Sequence, residues 1–245
     1  MKYLLMITLI FSSLFANEKQ EITLGVGSYY QTQPYKGVDN LLLPTPVIFY
    51  DNSLFYVRWT RFGVYFLGDK NDDLSWGFSL TAQPRFYGYD SQDIQGMNER
   101  KDSWEGGLAF SMQQDKSYLE VTLLTDLLRN HGSWLGKVEI GHDLKFGNFS
   151  FYPSIFASYL SDNFVNYYYG VTQQEANSRG ENAYFATSGW QYGAQTYVKY
   201  PITDKLSTLL NIKADVLPSS ATNSSIVKDK TIYSGLVSLI YSFEY

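Results

Sequence analysis

The chain has no cysteine and only two histidines in its 245 residues. Without cysteine there is no disulfide bond and no cysteine-linked lipid anchor. Structural and catalytic transition-metal sites are built mostly from cysteine and histidine, so two histidines without a cysteine argue against such a site. We therefore expect neither a metal nor a cofactor.

Long apolar runs are also missing after the first 16 residues, so we expect no transmembrane helix. Basic residues form no patch and the formal net charge is −5, which argues against nucleic acid as a partner. The N-terminus has a positive start at Lys2, an apolar run and a small residue at Ala16, as in a secretory signal peptide. We expect a signal peptide at residues 1–16 and one domain at residues 17–245.

Aromatic residues are abundant, with 22 Tyr, 16 Phe and 5 Trp, and many stand in alternating segments. In residues 237–245 the odd positions are apolar or aromatic, and the even positions are polar except Ile240. A period of two indicates a strand whose two faces meet different solvents. Alternating aromatics at this position are similar to the closing strand of outer-membrane β-barrels; the last strand of a soluble sandwich is the alternative.

Most of the alternating segments are long enough to cross a bilayer, for which about 9–11 tilted residues suffice. Counting them predicts twelve strands, with ten or fourteen as alternatives, because residues 53–67 could form either two short strands or one bent strand. Short turns fall at one end and longer loops at the other, the outer-membrane pattern. We therefore predict an all-β protein: a transmembrane antiparallel up-and-down β-barrel of about twelve strands, monomeric in the lipid of a Gram-negative outer membrane.

Charged residues occupy one face of the segment 134–146, where apolar residues occupy the other. Such charges would be costly in a dry core, but inside a barrel they can pair with charges of neighbouring strands. They could line an ion path or form a paired, plugged interior; we favour the plug because both signs are present and a small barrel is filled mainly by side chains. The predicted interior network comprises Glu120, Lys137, Glu139, Asp143, Lys145, Lys213 and Asp215.

Several short sequence patterns occur along the chain in a characteristic order. They are Pro34 and Gly37, Pro44-Thr45-Pro46, Gly96-Met97, Glu105 and Gly107, Asp126 with His131-Gly132, the run Asn166-Tyr167-Tyr168-Tyr169-Gly170-Val171, Glu175-Ala176, Tyr184 and the closing aromatic strand. In this order the chain resembles the MipA/OmpV family of outer-membrane proteins. The resemblance implies a barrel that bridges a lytic transglycosylase and a bifunctional penicillin-binding protein in peptidoglycan synthesis.

The function expected from this resemblance is a non-enzymatic scaffold that links peptidoglycan hydrolase and synthase machinery at the outer membrane. A narrow, porin-like pore is the first alternative. A lipid or peptide hydrolase at the barrel rim is the second, because Asp126, His131 and Ser133 lie within eight residues and recur as a nucleophilic set in hydrolases. Closeness in sequence is not triad geometry, so we expect a hydrogen bond that braces the loop.

The tyrosines Tyr167, Tyr168 and Tyr169 are further candidates for function. They could form a recognition surface, since tyrosines are rigid amphipathic anchors. They could equally belong to an aromatic belt at the membrane interface. The run continuing into Gly170, with Glu175 after it, suggests a loop folded back over the barrel mouth.

Overall fold

The computed structural model describes residues 21–52, 54–71 and 74–244. The predicted signal peptide lies outside these residues. The strands are β1 (Glu21–Gln31), β2 (Leu41–Asp51), β3 (Phe55–Arg58), β4 (Arg61–Lys70), β5 (Leu74–Arg85), β6 (Ser103–Gln114), β7 (Ser117–Asp126), β8 (Trp134–His142), β9 (Leu144–Phe146), β10 (Phe149–Leu160), β11 (Gly189–Pro201), β12 (Leu206–Val216) and β13 (Thr231–Glu244). In the described part of the chain, no helix is long and apolar enough to cross a membrane.

The short strand β9 continues the wall strand begun by β8. Both pair with β10 in one register, Ile140 opposite Ile155 and Leu144 opposite Phe151. The ladder is interrupted where Pro153, which has no N–H, stands opposite His142. The wall therefore has twelve strands.

These strands close into a ring. Each wall strand pairs with its neighbour along the chain, and the first pairs with the last, with Val26 opposite Leu239. All of the pairings are antiparallel, so the fold is a closed twelve-stranded antiparallel barrel, as predicted. Within the uncertain segment, residues 55–58 form β3 and residues 61–67 belong to β4, and a tight turn at Trp59 and Thr60 joins them.

The two faces of the wall follow the predicted alternation. Leu239 is 50% exposed on the outside, whereas its neighbour Ser238 is 4% exposed on the inside. Large apolar and aromatic side chains stay exposed on the outer face of nearly every strand, as expected of a surface that meets lipid.

The long loops hold the structure that alternation did not predict. The segment 161–182, predicted to be non-periodic, contains two helices, α1 (Asp162–Tyr169) and α2 (Gln173–Arg179); a third, α3 (Ser219–Thr222), lies in the loop before β13. Helix α2 begins with a capping box between Thr172 and Glu175 and ends at Gly180 in the left-handed conformation. Strand β11 starts at Gly189, so Tyr184 lies in the loop before it.

We call residues 32–40, 86–102, 127–133, 161–188 and 217–230 the outer cap, because these loops converge at the end of the barrel opposite Glu21 and Glu244. Their apolar side chains form the main buried cluster, which includes Tyr35, Phe164, Tyr168, Tyr169 and Ile226. The outer cap therefore has a packed core of its own and covers the outer mouth. Short turns lie at the other, periplasmic end.

Candidate functional site

A cavity of about 1860 Å³ lies inside the barrel beneath the outer cap. Its lining extends from Gln31 and Tyr87 near the cap to Glu21 and Asp51 at the periplasmic ends of the strands. Side chains therefore do not fill the interior, and the plug that we predicted from side chains alone is wrong on this point. The outer mouth is covered by folded loops instead.

Glu120 is the centre of the largest charge cluster in this cavity. Its carboxylate is held by the guanidinium of Arg61 through both oxygens, and Arg58 lies 3.4 Å away. Arg58 also reaches Asp51 at 2.6 Å. A bidentate arginine pair fixes the geometry as well as neutralising the charge.

Glu139 organises a second cluster on the adjacent strands. It pairs with Lys137, and one of its oxygens accepts hydrogen bonds from Tyr118 (2.8 Å), Ser154 (2.7 Å) and Gln195 (2.8 Å). A buried carboxylate is tolerated when its lone pairs are used in this way.

On the far side of the cavity, Lys213 lies 2.9 Å from Asp215, which also accepts a hydrogen bond from Gln191 at 2.7 Å. Five of the seven predicted network residues are thus in ion pairs. Asp143 and Lys145 make no ion pair with any described residue, because they lie at the periplasmic end of their strand.

Sequence reasoning missed the arginines that hold this network. Arg58 and Arg61 flank the tight turn of a segment whose strand count was uncertain. Arg85 pairs with the fully buried Glu105 at the top of the cavity. It was not singled out because it lies near the end of a long alternating segment. Each lies on the inward face of its own strand, and that parity is the signal that could have revealed it.

A buried ion pair joins two loops of the outer cap. Arg100 lies 2.9 Å from Glu175, and both side chains are nearly inaccessible. Glu175 also accepts hydrogen bonds from the backbone N–H groups of Asn98 (3.0 Å) and Thr172 (2.9 Å). Burial opposes ionisation of Glu175, but the backbone hydrogen bonds and the charge of Arg100 outweigh it, so its pKa is lowered.

Asp126 braces the loop that follows β7. Its carboxylate accepts hydrogen bonds from the backbone N–H groups of Leu128 (3.0 Å), His131 (2.7 Å) and Gly132 (3.1 Å). The imidazole of His131 packs edge-on against Phe164, with ring centroids 4.9 Å apart. Its two ring nitrogens make no hydrogen bond with the described residues, although Nε2 lies 3.9 Å from Asp126.

These groups do not form a catalytic triad. The hydroxyl of Ser133 pairs with the hydroxyl of Ser161, and the imidazole nitrogens of His131 have no hydrogen-bond partner among the described residues. A nucleophile needs its base within hydrogen-bond reach. The arrangement matches the loop-bracing interpretation of Asp126.

The tyrosine run occupies neither of the positions that we considered for it. Tyr168 and Tyr169 are fully buried in the core of the outer cap, because α1 turns their side chains inward. Tyr167 is partly buried, and its hydroxyl accepts a hydrogen bond from the backbone of Lys101 at 2.9 Å. The loop does fold over the barrel mouth, as the sequence suggested.

Gly170 ends α1 where a side chain has no room. A Cβ at this position would lie 2.3 Å from the Oδ1 atom of Asn166. That amide oxygen accepts a hydrogen bond from the backbone of Ala186 at 3.1 Å, so it cannot easily move. The glycine is therefore required by packing within the outer cap.

Comparison with known proteins gives matches over most of the chain. A protein-family model described as MltA-interacting protein MipA matches residues 24–243. The MltA-interacting protein of Escherichia coli K12 is 28% identical over 235 residues, which cover 94% of this chain and 92% of the relative. The putative outer membrane protein YiaT of the same strain is 26% identical over 212 residues, covering 84% and 85%. Outer membrane protein OmpV of Vibrio cholerae is 27% identical over 163 residues, covering 66% and 63%.

Proposed function

Because the chain belongs to the family of MltA-interacting protein MipA, an outer-membrane barrel family, we propose that it is a non-enzymatic scaffold. On this proposal its periplasmic end binds a lytic transglycosylase and a penicillin-binding protein, and so holds peptidoglycan cleavage and synthesis together at the outer membrane. Support for the first partner comes from the name of a 28% identical relative, which describes an interaction with MltA.

The observation that carries the proposal is the difference between the two ends of the barrel. The outer cap covers one mouth with a packed core, and the cavity extends to the periplasmic rim at the other. Partners that act on peptidoglycan would approach from the periplasm. The cap also argues against the rival function, an axial pore, since solutes would meet a closed mouth.

Capture of the partner enzymes tests the scaffold. Purified full-length barrel in detergent serves as bait for a purified lytic transglycosylase and penicillin-binding protein, with chemical cross-linking. Two periplasmic turns are replaced in turn by Gly-Ser, residues 115–116 and residues 204–205, and Glu175→Gln in the outer cap is the matched control.

We expect wild-type protein and Glu175→Gln to capture the transglycosylase, and at least one turn variant to lose it. Failure of the wild type to capture either enzyme would contradict the scaffold, as would loss caused only by the cap variant. The non-enzymatic part is tested separately: Ser133→Ala should change no hydrolysis of envelope lipids or peptides, because the Ser133 hydroxyl contacts Ser161 and not a base.

A further inference from the structure

The barrel wall is incomplete next to β2. The ladder between β2 and β3 ends at Phe49 opposite Arg58, because the β3–β4 hairpin turns back immediately afterwards. The last backbone bond on this side joins Trp59 N–H to the carbonyl of Ile48, so residues 41–47 of β2 have no backbone partner there among the described residues. These seven residues cover about 24 Å along the strand, at roughly 3.4 Å per residue.

No other outer end has an overhang of this length. In the remaining described pairings, a strand extends at most three residues beyond the last partner of its neighbour at this end, as Gln83–Arg85 does beyond β4. Such small steps are the ordinary stagger of tilted strands. The gap between β2 and β5 is instead a lateral opening, and it is bounded below by the β3–β4 turn.

The unpaired edge of β2 carries two prolines. Asn52 and Ile48 bond toward the β3–β4 hairpin, through Asn52 N–H to Phe55 (3.1 Å) and Trp59 N–H to Ile48 (2.8 Å). By the alternation of the ladder, Pro44 and Pro46 face the same side. Proline has no backbone N–H to donate, so an added strand cannot form a continuous ladder of hydrogen bonds along this edge. The opening is thus protected against closure by another strand.

Aromatic side chains lie behind the opening. Trp59 lies at the hairpin turn, with its ring centroid 5.2 Å from Tyr29, and Tyr29 lies 6.1 Å from Phe86. The backbone of Trp59 has φ 57°, a conformation that a bulky residue adopts only when its surroundings impose it. Here the indole donates a hydrogen bond to Thr45 at 3.2 Å, and so anchors the ring at the edge of β2.

The opening faces lipid on the outside and the cavity on the inside. Leu42, which is 67% exposed, and Ile48 lie on the outward face of β2 beside the opening, opposite the outward Tyr30 and Leu24 of β1. Tyr29, Trp59 and Phe86 all line the internal cavity. At about 1860 Å³ this cavity exceeds the roughly 300–1,000 Å³ of ordinary small-molecule pockets.

We propose that this opening is a lateral portal through which a membrane amphiphile enters the barrel, with its acyl chain against the aromatic trio Tyr29, Trp59 and Phe86. The apolar portal suits the chain. The cavity behind it suits a polar headgroup, because Arg61, Arg85 and Glu120 line its wall. The portal opens toward the outer half of the membrane, so it is independent of partner binding at the periplasmic end.

Photo-cross-linking tests the portal in the full-length protein. The barrel is reconstituted in phosphatidylethanolamine and phosphatidylglycerol vesicles containing a phosphatidylcholine with a diazirine at mid-chain. After illumination, the labelled residues are mapped by mass spectrometry. We expect labels on the inward-facing Tyr29, Trp59 and Phe86, and none on Phe156, which lines the same cavity.

Two tryptophan variants sharpen the test. Trp59→Ala should widen the portal and increase labelling of Tyr29 and Phe86. Trp190→Ala removes an outward-facing indole and should leave this labelling unchanged. Labels confined to outward-facing residues of the wild type would overturn the proposal, as would equal labelling of Phe156, which would indicate entry through the periplasmic end. The wild-type map decides the question even where a variant fails to fold.

Discussion

The ion pair between Arg100 and Glu175 should control the stability of the outer cap. Glu175→Gln keeps the shape of the side chain but leaves the guanidinium of Arg100 buried without a counter-charge. Both groups are at most 8% exposed and lie 2.9 Å apart. Removing one partner of such a pair costs about 3–5 kcal/mol. The pair joins two loops of the cap and none of the wall strands. Its loss should therefore lower the free energy needed to open the cap and leave the stability of the wall unchanged.

Limited trypsin digestion of the reconstituted protein measures this opening. Lys101 and Arg179 are cleavage sites within the cap, and both are held by hydrogen bonds to neighbouring loops. If cleavage follows the open population, 3–5 kcal/mol corresponds to an increase of roughly two to nearly four orders of magnitude in rate. Heat-modified migration on gels should show that the barrel itself remains folded.

The matched control is Glu99→Gln. Glu99 lies 3.4 Å from Lys101, but both side chains are more than half exposed, so this pair should contribute at most about 1 kcal/mol. Equal cleavage of the two variants would refute the argument, since it would mean that burial of the Arg100 pair has no effect.

Lowering the pH gives a second check on the Arg100 pair. The pKa of Glu175 is lowered in the fold, so its contribution is complete above the ordinary Glu value of about 4.3 and is lost as pH falls through the lowered value.

Three further predictions concern the wall, the cap histidine and conduction. Leu239→Arg places a charge on the lipid-facing side of β13 at a cost of about 2–4 kcal/mol, so the yield of folded barrel should fall well below that of Ser234→Arg, whose side chain would point into the cavity; equal yields would contradict the assigned faces. Burial lowers the pKa of His131, although the charge of Asp126 opposes this shift. As pH drops below about 6.5, the unfolded cap therefore binds a proton on this histidine before the folded cap does, and the stability of the cap should fall. Hydrogen exchange should show this loss in wild type and not in His131→Phe. Planar-bilayer recordings should show no steady axial conductance for wild type, and a large open channel would mean that the outer cap does not seal the mouth.

The barrel wall was largely predictable from sequence because lipid and water impose a strict alternation on every spanning strand. The twelve strands and the outward position of Leu239 followed from that period alone. The outer cap has lipid on neither side, and its core of tyrosines and phenylalanines packs without a fixed period, so its helices were missed. One local signal was available: Thr172 and Glu175 have the spacing of a capping box.

Prediction from sequence was limited in the same way for the polar sites. The inward face of Glu120 and Glu139 was predictable from parity, but their partners were not, because pairing depends on strand order and register. Arg61 lies 59 residues from Glu120, and Arg100 lies 75 residues from Glu175. Sequence reasoning also predicted that Asp126 braces its loop through His131 or through backbone N–H groups, but it could not decide between the two. The carboxylate binds the backbone N–H groups, and the imidazole faces aromatic rings.

The outer cap and the lateral portal should be coupled, because Phe86, the first residue of the cap loop 86–102, also belongs to the portal. Phe86 lines the portal, and its carbonyl accepts a hydrogen bond from Gln31, while the carbonyl of Tyr87 accepts one from the buried Tyr35 at 2.9 Å. The other end of this loop is held by Arg100 through Glu175. Loosening the cap at Glu175 should therefore free Phe86 and widen the portal from above. In the photo-cross-linking assay, Glu175→Gln should increase labelling of Phe86 while labelling of outward-facing Leu42 stays constant. If labelling of Phe86 did not change although trypsin cleaved the cap faster, the two features would be mechanically separate and the loop would be held by Gln31 and Tyr35 alone.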